Sequence, residues 1–182
     1  MEAVEVLDVY LGGTPILQVR SLSNLRHLGV AFGNPNDDLP GLVSGRCGIN
    51  GDLQTIRSLT LEFDNHDHMV PVLAALANNS AHSATGFLFP FLRKLEVRMK
   101  NLEGRPSVKP LTRGLLGIYE ARLNPNVSGV SSLAELELEG SGPLESYITP
   151  GSITWFREHV EFRYLNLWFV NTYFAYWESI LT

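Results

Sequence analysis

The strongest candidate for metal chemistry in the sequence is the segment Asp64-Asn65-His66-Asp67-His68. Its imidazole nitrogens and carboxylate oxygens are ligand types that zinc and iron accept. However, ligands crowded onto one turn are less common than ligands gathered from separate elements, and a turn followed by a helix with Asp67 as its N-cap explains the same residues. We therefore expect no metal site and no cofactor.

The sequence evidence for a nucleophile or a phosphate-binding loop is weaker than the evidence for a metal site. Cys47 is the single cysteine and carries no local signature of an activated thiolate. Gly140-Ser141-Gly142 is not a Gly-x-Ser-x-Gly elbow, and Gly12-Gly13-Thr14 lacks the lysine of a phosphate loop. Paired glutamates could act as acid and base in a glycosidase, but those of this chain lie on a flat strand without a deep pocket. The sequence therefore predicts no catalytic residue and no enzyme.

Composition and charge narrow the class of partner. The chain is 45% hydrophobic and 18% charged, as globular proteins are, and its net charge of -5 argues against nucleic acid or an anionic membrane as partner. No apolar run approaches the roughly 18 residues that span a bilayer, and the first residues lack the basic start of a secretory signal. We expect a cytoplasmic or nuclear protein with a protein partner.

A repeated phrase indicates how the chain folds. Six segments share the pattern apolar-x-x-apolar-x-apolar, at irregular intervals of 21 to 41 residues. The alternation continues two residues further with a large apolar residue in five of the six segments, as a half-buried strand requires. Asn or Gly follows two residues later and favours a turn. The segments begin at Val4, Leu25, Ile56, Leu92, Leu133 and Phe162.

The intervals between these strands contain helical patterns. We expect helices over His68–Asn79, Val108–Leu123, Ser152–Val160 and Thr172–Leu181, and a loop over Asn34–Gly51. No single unit could bury its strand face alone, so the units must stack. The sequence predicts one α/β domain over residues 1–182, a leucine-rich-repeat solenoid of about six irregular repeats. Its parallel sheet would form the concave side, and helices and loops the convex side. An ordinary α/β domain with another strand order is the alternative.

Two of the repeats carry a family resemblance. The segments Phe89-Pro90-Phe91-Leu92-Arg93-Lys94-Leu95-Glu96-Val97 and Val130-Ser131-Ser132-Leu133-Ala134-Glu135-Leu136-Glu137-Leu138 resemble the leucine-rich repeats of fungal F-box proteins. In that family a helical F-box docks on the adaptor of a cullin-type ubiquitin ligase, and the repeats recruit the protein to be ubiquitinated. The resemblance implies a non-enzymatic module for protein–protein interaction and substrate recognition.

The chain departs from that family because no F-box is recognisable ahead of the first repeat at Val4, and Asp38-Leu39-Pro40 is too short a match. We therefore expect a repeat fragment or a degenerate relative, which joins a ligase adaptor only if an F-box is supplied elsewhere. The alternative function is a truncated fragment with a purely structural role and no retained partner.

The residues that alternate with the apolar strand positions should face solvent. In the last three repeats they include carboxylates and aromatic side chains, which suit a basic partner segment and a binding hot spot, respectively. The alternative is that the aromatic residues are packed and that the glutamates are only a solvated face. The predicted protein-binding residues are Lys94, Glu96, Arg98, Glu135, Glu137, Glu139, Tyr164, Asn166 and Trp168.

Overall fold

The computed structural model describes residues 5–11, 24–32, 55–64, 66–77, 88–99, 108–123 and 129–167. Within these ranges six strands form one sheet, in which each strand pairs in parallel with the next along the chain. The chain is therefore an α/β protein with a parallel sheet. The strands are β1 (Val6–Leu11), β2 (His27–Phe32), β3 (Ser58–Phe63), β4 (Lys94–Met99), β5 (Glu135–Gly140) and β6 (Glu161–Asn166).

Alternation of apolar and polar residues explains why these segments are strands. From β2 to β5 the leucines Leu28, Leu59, Leu95 and Leu136 are paired by the register and fully buried. Backbone hydrogen bonds just before the strands keep the same register, as from the amide of Arg57 to the carbonyl of Arg26. Equivalent positions thus share one interior, which is the condition for a continuous core.

Among the described residues between the strands are three α-helices, α1 (His66–Ala77), α2 (Val108–Leu123) and α3 (Pro150–His159), together with a short 3-10 helix at Leu144–Ser146. Each helix has buried apolar residues at helical spacing, and these belong to the same core cluster as the strand leucines. One face of the sheet is therefore covered. In the described part of the chain, no helix is long and apolar enough to cross a membrane.

Arg122, near the end of α2, attaches this helix to the turns that lead into the sheet. Its side chain is buried and donates hydrogen bonds to the carbonyl oxygens of Phe89, at 2.9 Å, and Ser131, at 3.4 Å. Burial lowers the pKa of the guanidinium to about 10, although the nearby Tyr119 opposes this shift. The group stays charged at neutral pH and links the helix to the segments before β4 and β5.

The sixth strand differs from our prediction in its phase, that is, in which set of alternate residues faces the core. The repeat phrase places Leu165 in the row of Leu136, whereas the structure pairs Leu136 with Phe162 and leaves Leu165 49% exposed. The sequence Phe162-Arg163-Tyr164-Leu165 allows both phases, because either its aromatic or its leucine side chains can point inward. The aromatic phase is the one found in β6, which begins two residues after α3 ends at His159.

Local packing favours the same phase. Phe162 lies inside against Phe156 of α3, with ring centroids 5.9 Å apart. At Gly140, a Cβ would lie 2.9 Å from the ring of Tyr147, so this ring takes the place of the side chain that the other strands provide there. Tyr147 is in turn 6.2 Å from the inward ring of Tyr164.

The helix predictions have mixed outcomes. Helix α2 has the predicted bounds, and α3 begins two residues before Ser152 with Pro150 in its first turn, where proline is favoured. Helix α1 begins at His66, so Asp67 lies inside it and the prediction of an Asp67 N-cap is wrong. The remaining predictions lie outside the described residues; they concern Thr172–Leu181, Asn34–Gly51, Cys47 and the turn residues Gly13, Asn34, Asn65, Asn101 and Asn171.

Candidate functional site on the outer face of the sheet

The side of the sheet opposite the apolar core, here called the outer face, carries the alternate residues of each strand. No described helix packs on it. It is also the side on which sequence reasoning placed the binding residues. By the strand register, its residues are Val6 and Asp8 in β1, His27, Gly29 and Ala31 in β2, Ser58, Thr60 and Glu62 in β3, Lys94, Glu96 and Arg98 in β4, Glu135, Glu137 and Glu139 in β5, and Glu161, Arg163 and Leu165 in β6.

The outer face is strongly acidic. Among these residues seven carboxylates stand against three cations, which leaves a net charge of -4 with His27 neutral, compared with -5 for the whole chain. The three cations (Lys94, Arg98 and Arg163) all lie in β4 and β6, on either side of the three glutamates of β5. The negative charge in excess of these pairs is available to attract a cationic partner.

Ion pairs join β4 to β5. The Nζ of Lys94 lies 3.0 Å from a carboxylate oxygen of Glu137, and the Nε of Arg98 lies 3.4 Å from one of Glu139. The hydrogen bond to Glu137 and the charges of nearby glutamates raise the pKa of Lys94, although burial opposes them. These partners lie on adjacent strands, so the pairs hold the two strands' side chains in one arrangement.

A hydrogen-bonded chain continues from these pairs across the sheet. Arg98 donates from Nε to Oε1 of Glu96 at 2.6 Å, and the Thr60 hydroxyl donates to Oε2 of the same carboxylate at 3.2 Å. His27 lies within hydrogen-bonding distance of Thr60 and, through Nδ1 at 3.0 Å, of Ser58. Each carboxylate oxygen of Glu96 thus accepts a hydrogen bond, and the residue is buried, so it contributes to the organisation of the face more than to its accessible surface.

A hollow lies at the β1–β4 end of the outer face. It has a volume of about 240 Å³. Gly29 and Ala31 form its floor because they have almost no side chain, and the Oδ1 atom of Asp8 occupies the position that a Cβ would take at Gly29. The hollow is lined by Asp8, Gly29, Ala31, Thr60, Glu62 and Arg98.

The structure places the predicted residues of β4 and β5 on the outer face but not those of the sixth repeat. Tyr164 lies on the core side, where it contacts Tyr147 and its hydroxyl donates to the carbonyl of Gly142. Asn166 is on the same side, paired in the register with Gly140, and Trp168 lies outside the described residues. The prediction that Tyr164 and Asn166 lie on the outer face is wrong, for the reason of phase given above, and for Tyr164 the alternative of a packed aromatic side chain is found. The residues that take their places are Glu161, Arg163 and Leu165.

Sequence reasoning did not single out the hollow. The sequence feature that indicates the hollow is the pair of small residues Gly29 and Ala31, which occupy outward positions where the other strands have longer side chains. The hollow also needs Asp8 and Arg98 from other strands, and their approach depends on the register. The segment that was considered for metal binding and set aside, with His66, Asp67 and His68, has its side chains outside the described residues.

No family model, curated protein or solved structure matches the chain. The function of the outer face therefore has to be inferred from this chain's own residues. Three features of the outer face bear on its function: its accessible charge, its regular register and its hollow.

Proposed function

We propose that the chain is a non-enzymatic protein-binding module whose outer face docks a basic segment of its partner. In this proposal the strand–helix units are the repeats of a leucine-rich-repeat solenoid, and the outer face is its concave side. The module is similar in role to the repeats with which an F-box protein recruits its substrate. A ligase adaptor would be joined only through an F-box supplied elsewhere.

The observation that supports this function best is the acidic character of the outer face. A net charge of -4 on one side of one sheet attracts cationic segments and disfavours anionic ones. Exposed carboxylates contribute mainly to the rate of encounter and to partner choice. We therefore expect a protein segment rich in arginine or lysine as the partner.

The dimensions of the face suit an extended segment. Adjacent strands are about 4.8 Å apart, so crossing all six strands takes roughly 24 Å. An extended chain covers that distance in about seven residues at roughly 3.3 Å each. A short linear segment could thus contact Asp8 at one edge of the sheet and Glu135 and Glu161 near the other.

A peptide-binding measurement tests the proposal. The probe is a fluorescein-labelled dodecapeptide of alternating arginine and serine, compared with its glutamate counterpart, with binding followed by fluorescence anisotropy. We expect only the arginine peptide to bind, with an affinity that falls as salt rises. The double variant Glu135→Lys with Glu161→Lys should weaken binding roughly tenfold, because it replaces attraction by repulsion at one half-buried and one exposed position of the face.

The matched control reverses the charge of two exposed glutamates on helices, Glu120→Lys in α2 with Glu158→Lys in α3. It changes the net charge of the chain by the same amount as the double variant on the outer face. We expect this control to bind nearly as wild type does. Equal losses in both variants, or no binding by the wild-type chain, would contradict the proposal. The second outcome would favour a structural fragment that has kept no partner.

A further inference from the structure

The hollow on the outer face offers room for one long side chain. A cavity of about 150 Å³ is large enough for benzene, which has six heavy atoms. The hollow, at about 240 Å³, therefore has space for the seven heavy atoms of an arginine side chain. Its floor is made by Ala31 and by Gly29, over which the Asp8 carboxylate lies, so a guest in the hollow would lie beside that carboxylate.

The groups around the hollow are suited to a cation. Asp8 projects over Gly29 from one side, and Glu62 borders the hollow from β3. Arg98 also borders it, but its Nε is held by the carboxylates of Glu96, at 2.6 Å, and Glu139, at 3.4 Å. Glu62 also acts on Arg98 by its charge, so Asp8, Glu62, Glu96 and Glu139 surround a single cation. The carboxylates outnumber that cation, and the local charge at the hollow is negative.

We propose, on the basis of the function proposed above, that this hollow anchors one arginine side chain of the basic partner segment. A guanidinium offers five donors in a plane and binds carboxylates in a bidentate manner, so acceptors placed on different sides of a hollow can be used together. It is also less strongly hydrated than an ammonium and can stack beside another guanidinium such as that of Arg98. These properties favour arginine over lysine at this position.

The inference is tested first with a small probe on the isotope-labelled full chain. N-acetyl-arginine amide is titrated while backbone amide resonances are followed by NMR. N-acetyl-citrulline amide, which has nearly the same shape without the charge, is the reference. The arginine probe should shift the amides of Gly29, Ala31 and Thr60, and the citrulline probe should leave them in place. Arginine-induced shifts confined to β5 and β6, or equal shifts with both probes, would overturn the inference.

Two variants then alter the hollow alone. Asp8→Asn removes a charge at an exposed position with little change in shape, and Ala31→Gln fills the floor with a neutral side chain. Asp8→Asn should weaken binding of the arginine probe about tenfold, as the loss of a charge-assisted hydrogen bond does. Ala31→Gln should abolish its binding. The control Asp64→Asn, an exposed residue just after β3 and outside the lining of the hollow, should change it less than twofold.

The arginine–serine dodecapeptide separates failure of this inference from failure of the proposed function. If Asp8→Asn and Ala31→Gln bind the dodecapeptide as wild type does, while Glu135→Lys with Glu161→Lys does not, the face binds basic segments without using the hollow. That result overturns the anchor and leaves the docking function in place. If the wild-type chain binds the dodecapeptide and both hollow variants lose most of that affinity, the anchor is supported.

Discussion

The hydroxyl of Tyr164 donates a hydrogen bond to the carbonyl of Gly142, and its ring lies against that of Tyr147. Burial raises the pKa of this phenol to about 12, and the neighbouring Tyr147 and Glu145 add to the shift. The folded chain thus keeps the neutral phenol over a pH range in which the unfolded chain ionises it. Its contribution to stability is complete below pH 10 and is lost as the pH rises towards 12.

Tyr164→Phe should therefore have an effect that depends on pH. At pH 8 we expect the variant to be less stable than wild type by about 1 kcal/mol, the usual contribution of one hydrogen bond. At pH 11 the difference should shrink or reverse, because only the wild-type chain must keep this phenol protonated in order to stay folded. Urea denaturation at the two pH values measures both differences. A difference that stays the same at pH 8 and pH 11 would show that Tyr164 is not held in the protonated form.

The face of the sheet on which a residue lies could be predicted from the sequence where the alternation of apolar and polar residues allows only one phase. Lys94, Glu96 and Arg98 are flanked by the apolar residues Leu95 and Val97, so they had to face outward. The sixth repeat is different because Phe162 and Tyr164 alternate as regularly as Leu165 and Leu167 do. The choice between them depends on Gly140 and Tyr147, which are distant from the phrase itself.

Helix packing depends on two glycines of α2 that lie against α1. A Cβ at Gly114 would lie 3.0 Å from the Cβ of Leu73 and 3.1 Å from its Cδ1, tighter than an ordinary contact, so Leu73 would have to move by a few tenths of an ångström. A Cβ at Gly117 would lie 3.6 Å from the Cβ of Ala77, an ordinary van der Waals distance. The two helices therefore approach most closely at Gly114.

Alanine substitutions at these two positions should have opposite effects. Both gain helix propensity of about 0.8–1 kcal/mol, but Gly114→Ala also overpacks the interface at a cost of about 1–3 kcal/mol. We expect Gly114→Ala to destabilise the chain by about 1 kcal/mol. Gly117→Ala should stabilise it by about 0.5–1 kcal/mol. Thermal unfolding followed by circular dichroism measures both. Stabilisation by both substitutions would mean that the helices do not approach closely at Gly114.

The sequence predicted the bounds of some helices better than those of others. Helix α2 has the predicted bounds, with Leu111, Leu115 and Ile118 on its buried side. Helix α1 begins at His66, two residues before the predicted start at His68, so His66 and Asp67 are helical. Periodicity identifies the face that a helix buries more reliably than the residue at which the helix begins.

On the scale of the whole molecule, parallel pairing in chain order gives the outer face its continuity. Each strand brings its outward residues beside the equivalent residues of the next, so charges that are 30 or 40 positions apart in sequence become neighbours. The acidic character of the face could therefore be predicted from the repeats alone. The hollow could not, because it depends on how Asp8 leans towards Gly29 and on which carboxylates hold Arg98.

The most direct test of this account is a measurement of side-chain nuclear Overhauser effects between strands in the methyl- and aromatic-labelled chain. We expect contacts that link Leu28 to Leu59, Leu59 to Leu95, and Leu95 to Leu136, and a contact from Leu136 to the ring of Phe162. Such a series requires parallel strands in chain order and the outer face that follows from them. Contacts from Leu136 to Leu165 in place of Phe162, or backbone contacts typical of antiparallel pairs, would contradict it and remove the proposed docking surface.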